Sequence, residues 1–369
     1  MDPNDIKIGY KLFVQKPNTI VQQKAEILGI RHREDVLEFY VHYIDLNRRL
    51  DEWIPHTFLC LNDVTKIEIP KKKKKIEDAQ KKSIDLNSID DEKENVKVKD
   101  EEYKIKNIKQ IQFGKYLVEP WYFSPYPKWI TDTDIVYICE KCLYYFKHKD
   151  VYTQHCTECE TEHPPGREIY RHNGISFFEM DGYTEPRFCR NLALLSKLFL
   201  DHKSLYYDID VFLFYVLCRI DDNGYTIVGY FSKEKISEMG YNLACILTLP
   251  FEQRKGYGRI LMDFSYMLSK KDNLISGPEK PLSDLGLLSY RAYWLDVIVD
   301  FLVENNNSSV DEISKATHIT VEDIISTLMY YNVLKLYKGK FIYALSDKLK
   351  EKAQKFKTRR LDEKYLKYY

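Results

Sequence analysis

The 369-residue chain has no net charge: 56 Lys and Arg are balanced by 56 Asp and Glu. Bulk electrostatics therefore gives no argument for a nucleic-acid or membrane partner, and charge has to be read locally. The opening MDPNDIKIGYK lacks the apolar stretch of a secretory signal, and no run of about eighteen apolar residues suggests a membrane span. A soluble intracellular protein with no membrane partner is expected. One hydrophobic core rarely organises so long a chain, so two to four structural units are expected. The eight cysteines are not spaced like a disulfide framework. Four crowd together (Cys139, Cys142, Cys156, Cys159), and Cys60, Cys189, Cys218 and Cys245 are scattered, a pattern that reads as metal ligands plus free thiols.

Composition divides the chain. Residues 5–66 carry short alternating runs such as LEFYVHYIDL and then NRRLDEWI, the pattern of a small antiparallel β unit. Residues 67–107 hold KKKKK at Lys71 to Lys75 and then mixed charges with few aromatics, which reads as a solvated, disordered linker. From about residue 108 to 345 the chain is dense in apolar and aromatic residues, and 346–369 form a basic tail expected to be frayed or helical. Val211 to Ile220 and Tyr225 to Phe231, joined by Asp221-Asp222-Asn223-Gly224, predict a β-hairpin. NLALLSKLFLDHK has helical spacing through Leu192, Leu195, Leu198 and Phe199.

From Cys139 the pattern is C-x2-C-x12-H-x3-C, a tetrahedral zinc spacing with Cys139, Cys142, His155 and Cys159 as ligands. Cys156 permits a rival four-cysteine set. On a helix, Tyr152, His155 and Cys159 share one face while Cys156 points about 100° away, which favours Cys-Cys-His-Cys. One finger reads only about three base pairs, so the zinc is expected to staple a fold rather than read DNA.

Tyr241 to Pro250 is apolar and compact enough for a buried strand. Gln253-Arg254-Lys255-Gly256-Tyr257-Gly258 follows, and then RILMDFSYMLSK with helical spacing. Strand, Gly-containing turn and helix together aim backbone N–H groups and the positive end of a helix dipole at one point, a geometry suited to pyrophosphate. The two glycines permit close backbone approach, and Arg254 and Lys255 add charge. Such turns also bind nucleotides or nothing, so the loop alone leaves its ligand open.

The loop matches Q/R-x-x-G-x-G/A, the coenzyme A pyrophosphate loop of Gcn5-related acetyltransferases. With HPPGREIYR, LFLDHKSLYYD, GYFSKEK, CILTLPFEQRKGYGRILMDFSY and PEKPLSDLGLLSYRAYW in order, the chain from about Phe113 to Trp294 resembles the MYST histone acetyltransferases, in the branch that includes the catalytic subunit of a nucleosomal H4 acetyltransferase complex. NRRLDEW similarly resembles that branch's chromo-barrel module. The resemblance implies an α+β architecture. A chromo-barrel (5–66) and the linker (67–107) precede an acetyltransferase domain (108–345). That domain comprises a zinc finger (137–162), an acetyl-coenzyme A-binding α/β core (163–290) and a winged-helix-like part (291–345).

Position by position, the resemblance implies Glu279 as general base and Cys245 as the active-site cysteine, with acetyl-enzyme formation or a mere lining role both open. It implies Ile246, Leu247 and Thr248 at the acetyl and pantetheine arm, and Gln253, Arg254, Lys255, Gly256, Tyr257, Gly258 and Arg259 at the pyrophosphate. Ser283 would also contact the cofactor, and Lys203 would be an autoacetylated lysine. Read without the family, Glu279 is an ordinary surface charge, Cys245 a core thiol and Lys203 one solvated lysine among many. One departure is visible: the family commonly has Gly-Ser-Pro-Glu where this chain has Ser276-Gly277-Pro278-Glu279.

The implied function is transfer of acetyl from acetyl-coenzyme A to histone-tail lysines, those of histone H4 foremost and of histone 2A besides. The implied setting is the nucleus, as catalytic subunit of a multi-protein chromatin complex serving transcription and DNA repair, with histone tails or nucleosomes as partners and Zn2+ bound. A catalytically inactive chromatin-binding scaffold is the alternative. The winged-helix-like part lacks basic residues on its second helix, VEDIISTLMYY, which favours packing over DNA binding. Tyr40, Tyr43 and Trp53 read as a methyl-lysine cage or as core, and weak RNA or DNA contact aided by Lys71 to Lys75 is the reading preferred slightly. The lysine run also fits a nuclear import signal or a plain spacer.

Overall fold

The computed structural model describes residues 1–17, 19, 21–70, 105–201, 203, 208–337 and 340–367. Lys71 to Lys75 and most of the expected linker lie outside the described residues. The chain divides into two compact units, Met1–Tyr137 with Lys197–His202, and Ile138–Ser196 with Lys203–Tyr369. Among the described residues, no helix is long and apolar enough to cross a membrane.

In the first unit, β1 (Lys11–Gln15), β2 (Gln22–Arg33), β3 (Val36–Tyr43) and β4 (Glu52–Pro55) form one antiparallel sheet in that order. Glu34 and Asp35, both at positive φ, make the two-residue turn between β2 and β3, because a primed turn matches the right-handed strand twist. Alternation sends Leu12, Val14, Ala25, Ile27, Phe39, Val41 and Ile54 into a sealed core. Tyr43 belongs to that core, with its hydroxyl donating to Glu52 at 2.8 Å. Tyr40 is buried against Trp53, whose face is covered by the Arg31 guanidinium at 4.0 Å. An open three-aromatic cage is therefore not formed. β5 (Gln110–Phe113) and β6 (Tyr116–Val118) make a hairpin; α1 (Lys128–Thr131) and β7 (Ile135–Ile138) follow.

The second unit begins with β8 (Tyr145–Phe146) and α2 (Lys149–Glu158). Its main sheet is built from β9 (Arg167–His172), β10 (Ile175–Asp181), β11 (Phe212–Asp221), β12 (Gly224–Glu234) and β13 (Cys245–Thr248), in the order β13-β12-β11-β10-β9 and antiparallel throughout. The expected β11–β12 hairpin is present, with Asp221 opposite Gly224, whose φ of +98° only glycine takes without strain. β11 and β12 are apolar on both faces because helices cover both. α3 (Pro186–Lys197) reaches Tyr230 on one side through Ser196. On the other, α4 (Tyr257–Lys271) stacks Phe264 on Phe177 with ring centroids 3.7 Å apart.

Helical spacing carries α3 on through Leu198 and Phe199, but the helix ends at Lys197. The Leu198 carbonyl, which a helix would need for the next turn, instead accepts the N–H groups of Trp121 and Tyr122. Apolar periodicity records burial, and both residues are buried although no longer helical.

After the sheet come α5 (Asp284–Glu304), α6 (Val310–Thr317), α7 (Val321–Tyr330), the β14 (Leu334–Tyr337) and β15 (Lys340–Tyr343) pair, and α8 (Asp347–Lys357). Trp294, Ile298, Leu302, Ile313, Ile324, Leu328 and Phe356 form their common core. This is the expected winged-helix order with one helix added.

Beyond α8 the basic tail is helical only in a short 3-10 turn, Glu363–Tyr365, and its described residues are anchored to the second unit. Asp263, buried on α4, accepts from the Leu361 N–H at 2.8 Å and from Arg360 Nε at 3.1 Å, and the Lys367 N–H donates to the Ile169 carbonyl at 2.7 Å. A buried carboxylate needs donors; the tail supplies these two, and the Tyr293 hydroxyl on α5 donates a third at 3.0 Å. Replacing Asp263 by Asn is expected to cost about 1.5–3 kcal/mol. Hydrogen exchange of the Leu361 and Lys367 amides checks this, and unchanged protection would sever the tail from Asp263.

Candidate functional site

Cys139 and Cys142 are brought together by a tight turn. The Leu143 N–H donates to the Cys139 carbonyl at 2.9 Å, the Cys139 N–H to that of Tyr144 at 2.9 Å, and Leu143 takes a φ of +61°. α2 presents His155, and Cys159 stands at its C-terminal cap. The sulfurs of Cys139 and Cys159 lie 3.9 Å apart, and Cys142 Sγ is 3.2 Å from His155 Nε2. All four ligand atoms fall within 4.8 Å of one another. Tetrahedral zinc, with bonds of about 2.0–2.3 Å, sets its ligand atoms about 3.5–3.8 Å apart, so the donor set fits that ion in both chemistry and spacing. The Cys139 thiol is pulled down to about 4, first by the hydrogen bond from Cys142, while Cys142 is pushed up by the same bond. Phe146 and Tyr152 pack beside the cluster, with the Phe146 ring 4.8 Å from that of His155. Cys156 lies outside the four-ligand group.

In the main sheet, the edge strand β13 pairs with β12, so Cys245 stands opposite Ser232 and Leu247 opposite Tyr230. Just before β13, a second backbone segment runs alongside. The Asn242 N–H donates to the Gly277 carbonyl at 2.9 Å, and the Glu279 N–H to that of Leu243 at 2.8 Å. Main-chain bonds thus hold Glu279 beside the strand that carries Cys245. Behind that segment is a buried polar cluster: Ser276 Oγ donates to Ser269 Oγ at 3.0 Å, and Asn242 Nδ2 donates to the same oxygen at 3.0 Å. The Ser-Gly order at 276–277 has its reason here. The Ser276 hydroxyl is used inside the cluster, whereas a Cβ at Gly277 would come 2.9 Å from Asp323 Oδ2.

Burial raises the Glu279 pKa, the Glu234 charge adds to this, and Lys203 opposes it. Lys203 is not a solvated lysine: only 8% of it is exposed. Burial works against its charge, but the neighbouring Tyr230 hydroxyl and Cys245 sulfur leave its pKa raised overall. Tyr230 in turn donates to Ser196 Oγ at 2.8 Å. Ser196 and Tyr230 escaped sequence reading because each sits in an apolar, regularly spaced run indistinguishable from core.

Ile246 and Thr248 on β13 are half-buried and Leu247 is buried. After β13, Gln253 Nε2 donates to the Thr248 carbonyl at 3.1 Å. Arg254 and Gly256 take φ of +62° and +95°, turning the chain into α4, whose first residues are Tyr257, Gly258 and Arg259. Lys255 pairs with the buried Glu252 at 2.8 Å. The Arg259 guanidinium is paired with the buried Asp296 on α5, which ties the two helices together. Ser283 caps α5, its hydroxyl accepting the Gly286 N–H at 3.1 Å. The structure therefore gathers Cys245, Lys203 and Glu279 at one place and sets the glycine turn at the far end of the same strand.

Three family models match the chain. One of the MOZ/SAS family covers residues 163–367, tail included; a MYST family zinc finger domain covers 105–159; and an RNA binding activity-knot of a chromodomain covers 6–60. Among curated relatives, the chain is similar to histone acetyltransferase ESA1 of Saccharomyces cerevisiae (43% identical, covering 97% of this chain and 90% of the relative). It is similar to ESA1 of Eremothecium gossypii (46%, covering 93% and 87%) and to histone acetyltransferase mst1 of Schizosaccharomyces pombe (39%, covering 97% and 91%).

Proposed function

The chain belongs to the MYST family of histone acetyltransferases, with histones as substrate, acetyl-coenzyme A as acetyl donor and zinc in its finger, and from that premise we propose how its residues divide the work. Glu279 is the general base. A lysine ammonium must lose a proton before its nitrogen can attack, and a carboxylate of raised pKa, backbone-held beside the Cys245 strand, is suited to accept it. That placement is the observation that carries the reading.

Acetyl-coenzyme A, when bound, would supply the thioester carbonyl that the amine attacks; as the N–C bond forms the C–S bond breaks, and coenzyme A leaves as its thiol. Ile246, Leu247 and Thr248 offer main-chain groups to its acyl and pantetheine arm. The Gln253–Arg259 turn faces its pyrophosphate with the N-terminus of α4. A backbone N–H of the Cys245 strand meets the oxyanion. In this division Arg259, which also pairs with Asp296, belongs to the pyrophosphate turn, and Ser283, whose hydroxyl also accepts the Gly286 N–H, adds a cofactor contact at the start of α5. Direct attack by the substrate amine is the proposed route; an acetyl-enzyme at Cys245 stays the alternative, and labelled acetyl trapped on Cys245 in the absence of histone would establish it.

Acetylation of Lys203 itself would exchange a buried cation for a neutral amide facing the same partners, and the resemblance supports it as an autoacetylation site. The finer setting is proposed on family grounds: tails of histones H4 and 2A on nucleosomes, a nuclear multi-subunit complex, and roles in transcription and repair. The match of residues 6–60 to an RNA-binding module supports weak nucleic-acid contact through the N-terminal unit.

Incubating the full chain with acetyl-coenzyme A and mixed core histones, then mapping acetyl-lysine by mass spectrometry, tests activity and substrate together. Acetyl groups are expected on the tails of histones H4 and 2A and on Lys203. Histones left unmodified by a protein that binds them would favour the inactive scaffold.

A further inference from the structure

Glu279 lies on the connection between α4 and α5, outside any helix or strand. A general base has to meet the substrate nitrogen at hydrogen-bond distance, so such a segment must be fixed by its surroundings. On one side, the Asn242 N–H reaches the Gly277 carbonyl and the Glu279 N–H reaches that of Leu243. On the other side stands the helical part that follows the main sheet. The Ser276 N–H donates to the His318 carbonyl at 3.1 Å, and His318 Nδ1 donates to the Leu274 carbonyl at 2.9 Å. Directly after Glu279 the contact becomes ionic: Lys280 Nζ lies 3.0 Å from Asp323 Oδ1, in the first turn of α7. The Asp323 side chain is only 6% exposed, and its other oxygen accepts the hydroxyl of Thr320, the N-cap of α7, at 2.8 Å. The second partner of Lys280, Glu322, is also 3.0 Å away but 80% exposed, so that contact contributes little.

We propose that Asp323, acting through Lys280, is a positioning residue for acetyl transfer, so that the winged-helix-like part sets where the Glu279 carboxylate stands. The inference rests on Glu279 being the base. Its main chain is held to Leu243, and the residue after it is held to a buried carboxylate on α7. Without the second tie the segment hinges on its β13 side, and the carboxylate spends less time in line with the substrate amine, where a misplacement of about 1 Å can cost about 10²-fold. Charge acting through space would behave differently. Removing the Lys280 cation disfavours the ionised base and removing the Asp323 anion favours it, whereas loss of position has the same sign for both.

The test uses the zinc-loaded full chain and labelled acetyl transfer to core histones, with kcat and KM resolved. Lys280→Met, which keeps the stem and removes the charge, and Asp323→Asn should each lower kcat about 10–10²-fold with KM for acetyl-coenzyme A unchanged. The two together should be no slower than the slower one alone, because both break one link. Lys280→Arg, which retains the ion pair, and Glu322→Gln should stay within about twofold of the parent. The deciding measurement adds Lys280→Met to Glu279→Gln. If the tie acts through the base, its loss costs nothing further once the base is gone, whereas a merely misfolded variant loses the same factor in either background. A full further loss on top of an impaired Glu279→Gln would overturn the proposal and leave the base standing. A Glu279→Gln variant as fast as the parent would remove the base itself, and the positioning role with it. Parent-like turnover in Lys280→Met, or opposite effects of Lys280→Met and Asp323→Asn, would also overturn it. Lys280 is at an exposed position, so its variant carries the test even if Asp323→Asn does not fold.

Discussion

Glu279→Gln is expected to lower kcat/KM for histone acetylation by about 10²–10⁴-fold at neutral pH while leaving acetyl-coenzyme A affinity unchanged. The sign of the pH dependence follows from the site. Glu279 accepts a proton only when ionised, and burial together with the Glu234 charge raises its pKa against the pull of Lys203. The parent's kcat/KM therefore falls as pH drops through that raised value. The variant has no such limb. Its rate climbs with pH as the substrate amine, with a pKa of about 10.4, loses its proton to water, so parent and variant converge in alkali. Profiles measured by labelled acetyl transfer settle this. A variant that keeps the parent's acid limb would assign the titration, and the base, to another group.

Removing a zinc ligand should be the most damaging change to the fold. In Cys142→Ser, the chain is expected to lose its stoichiometric metal, and α2 its amide protection, because structural zinc contributes on the order of 10–16 kcal/mol in isolated fingers. The segment has little else to hold it: within α2, Tyr152 alone is a buried residue, and the adjacent β8 has two residues. Metal analysis and hydrogen exchange across residues 139–159 are the measurements. Full zinc occupancy in the variant would mean that Cys142 is not a ligand.

The zinc ligands were legible because they lie within 21 residues and their spacing is itself the geometry. The glycine turn was legible for the same reason, strand, turn and helix being contiguous. What could not be read is what depends on distant partners. Lys203 resembles any surface lysine until Tyr230 and Cys245 are seen to enclose it, and Glu279 resembles any surface carboxylate until its N–H is found on Leu243. Periodicity failed at α3 because it measures burial, and it overlooked the tail because a lone buried aspartate on α4 leaves no pattern along the chain.

The two borders of the main sheet are finished differently. Along β9, the returning tail pairs Leu366 with Tyr170 and hydrogen-bonds Ile169, which closes that border with the protein's own backbone. An unprotected strand is an invitation to intermolecular pairing, so shortening the tail should make the enzyme sticky before it makes it slow. Along β13, among the described residues, the approach to Cys245 is covered by the segment leading to Glu279, and the sheet order ends there. A cofactor lying against Ile246 to Thr248 would act as a transient sixth strand, so saturating acetyl-coenzyme A should suppress self-association as well as support turnover.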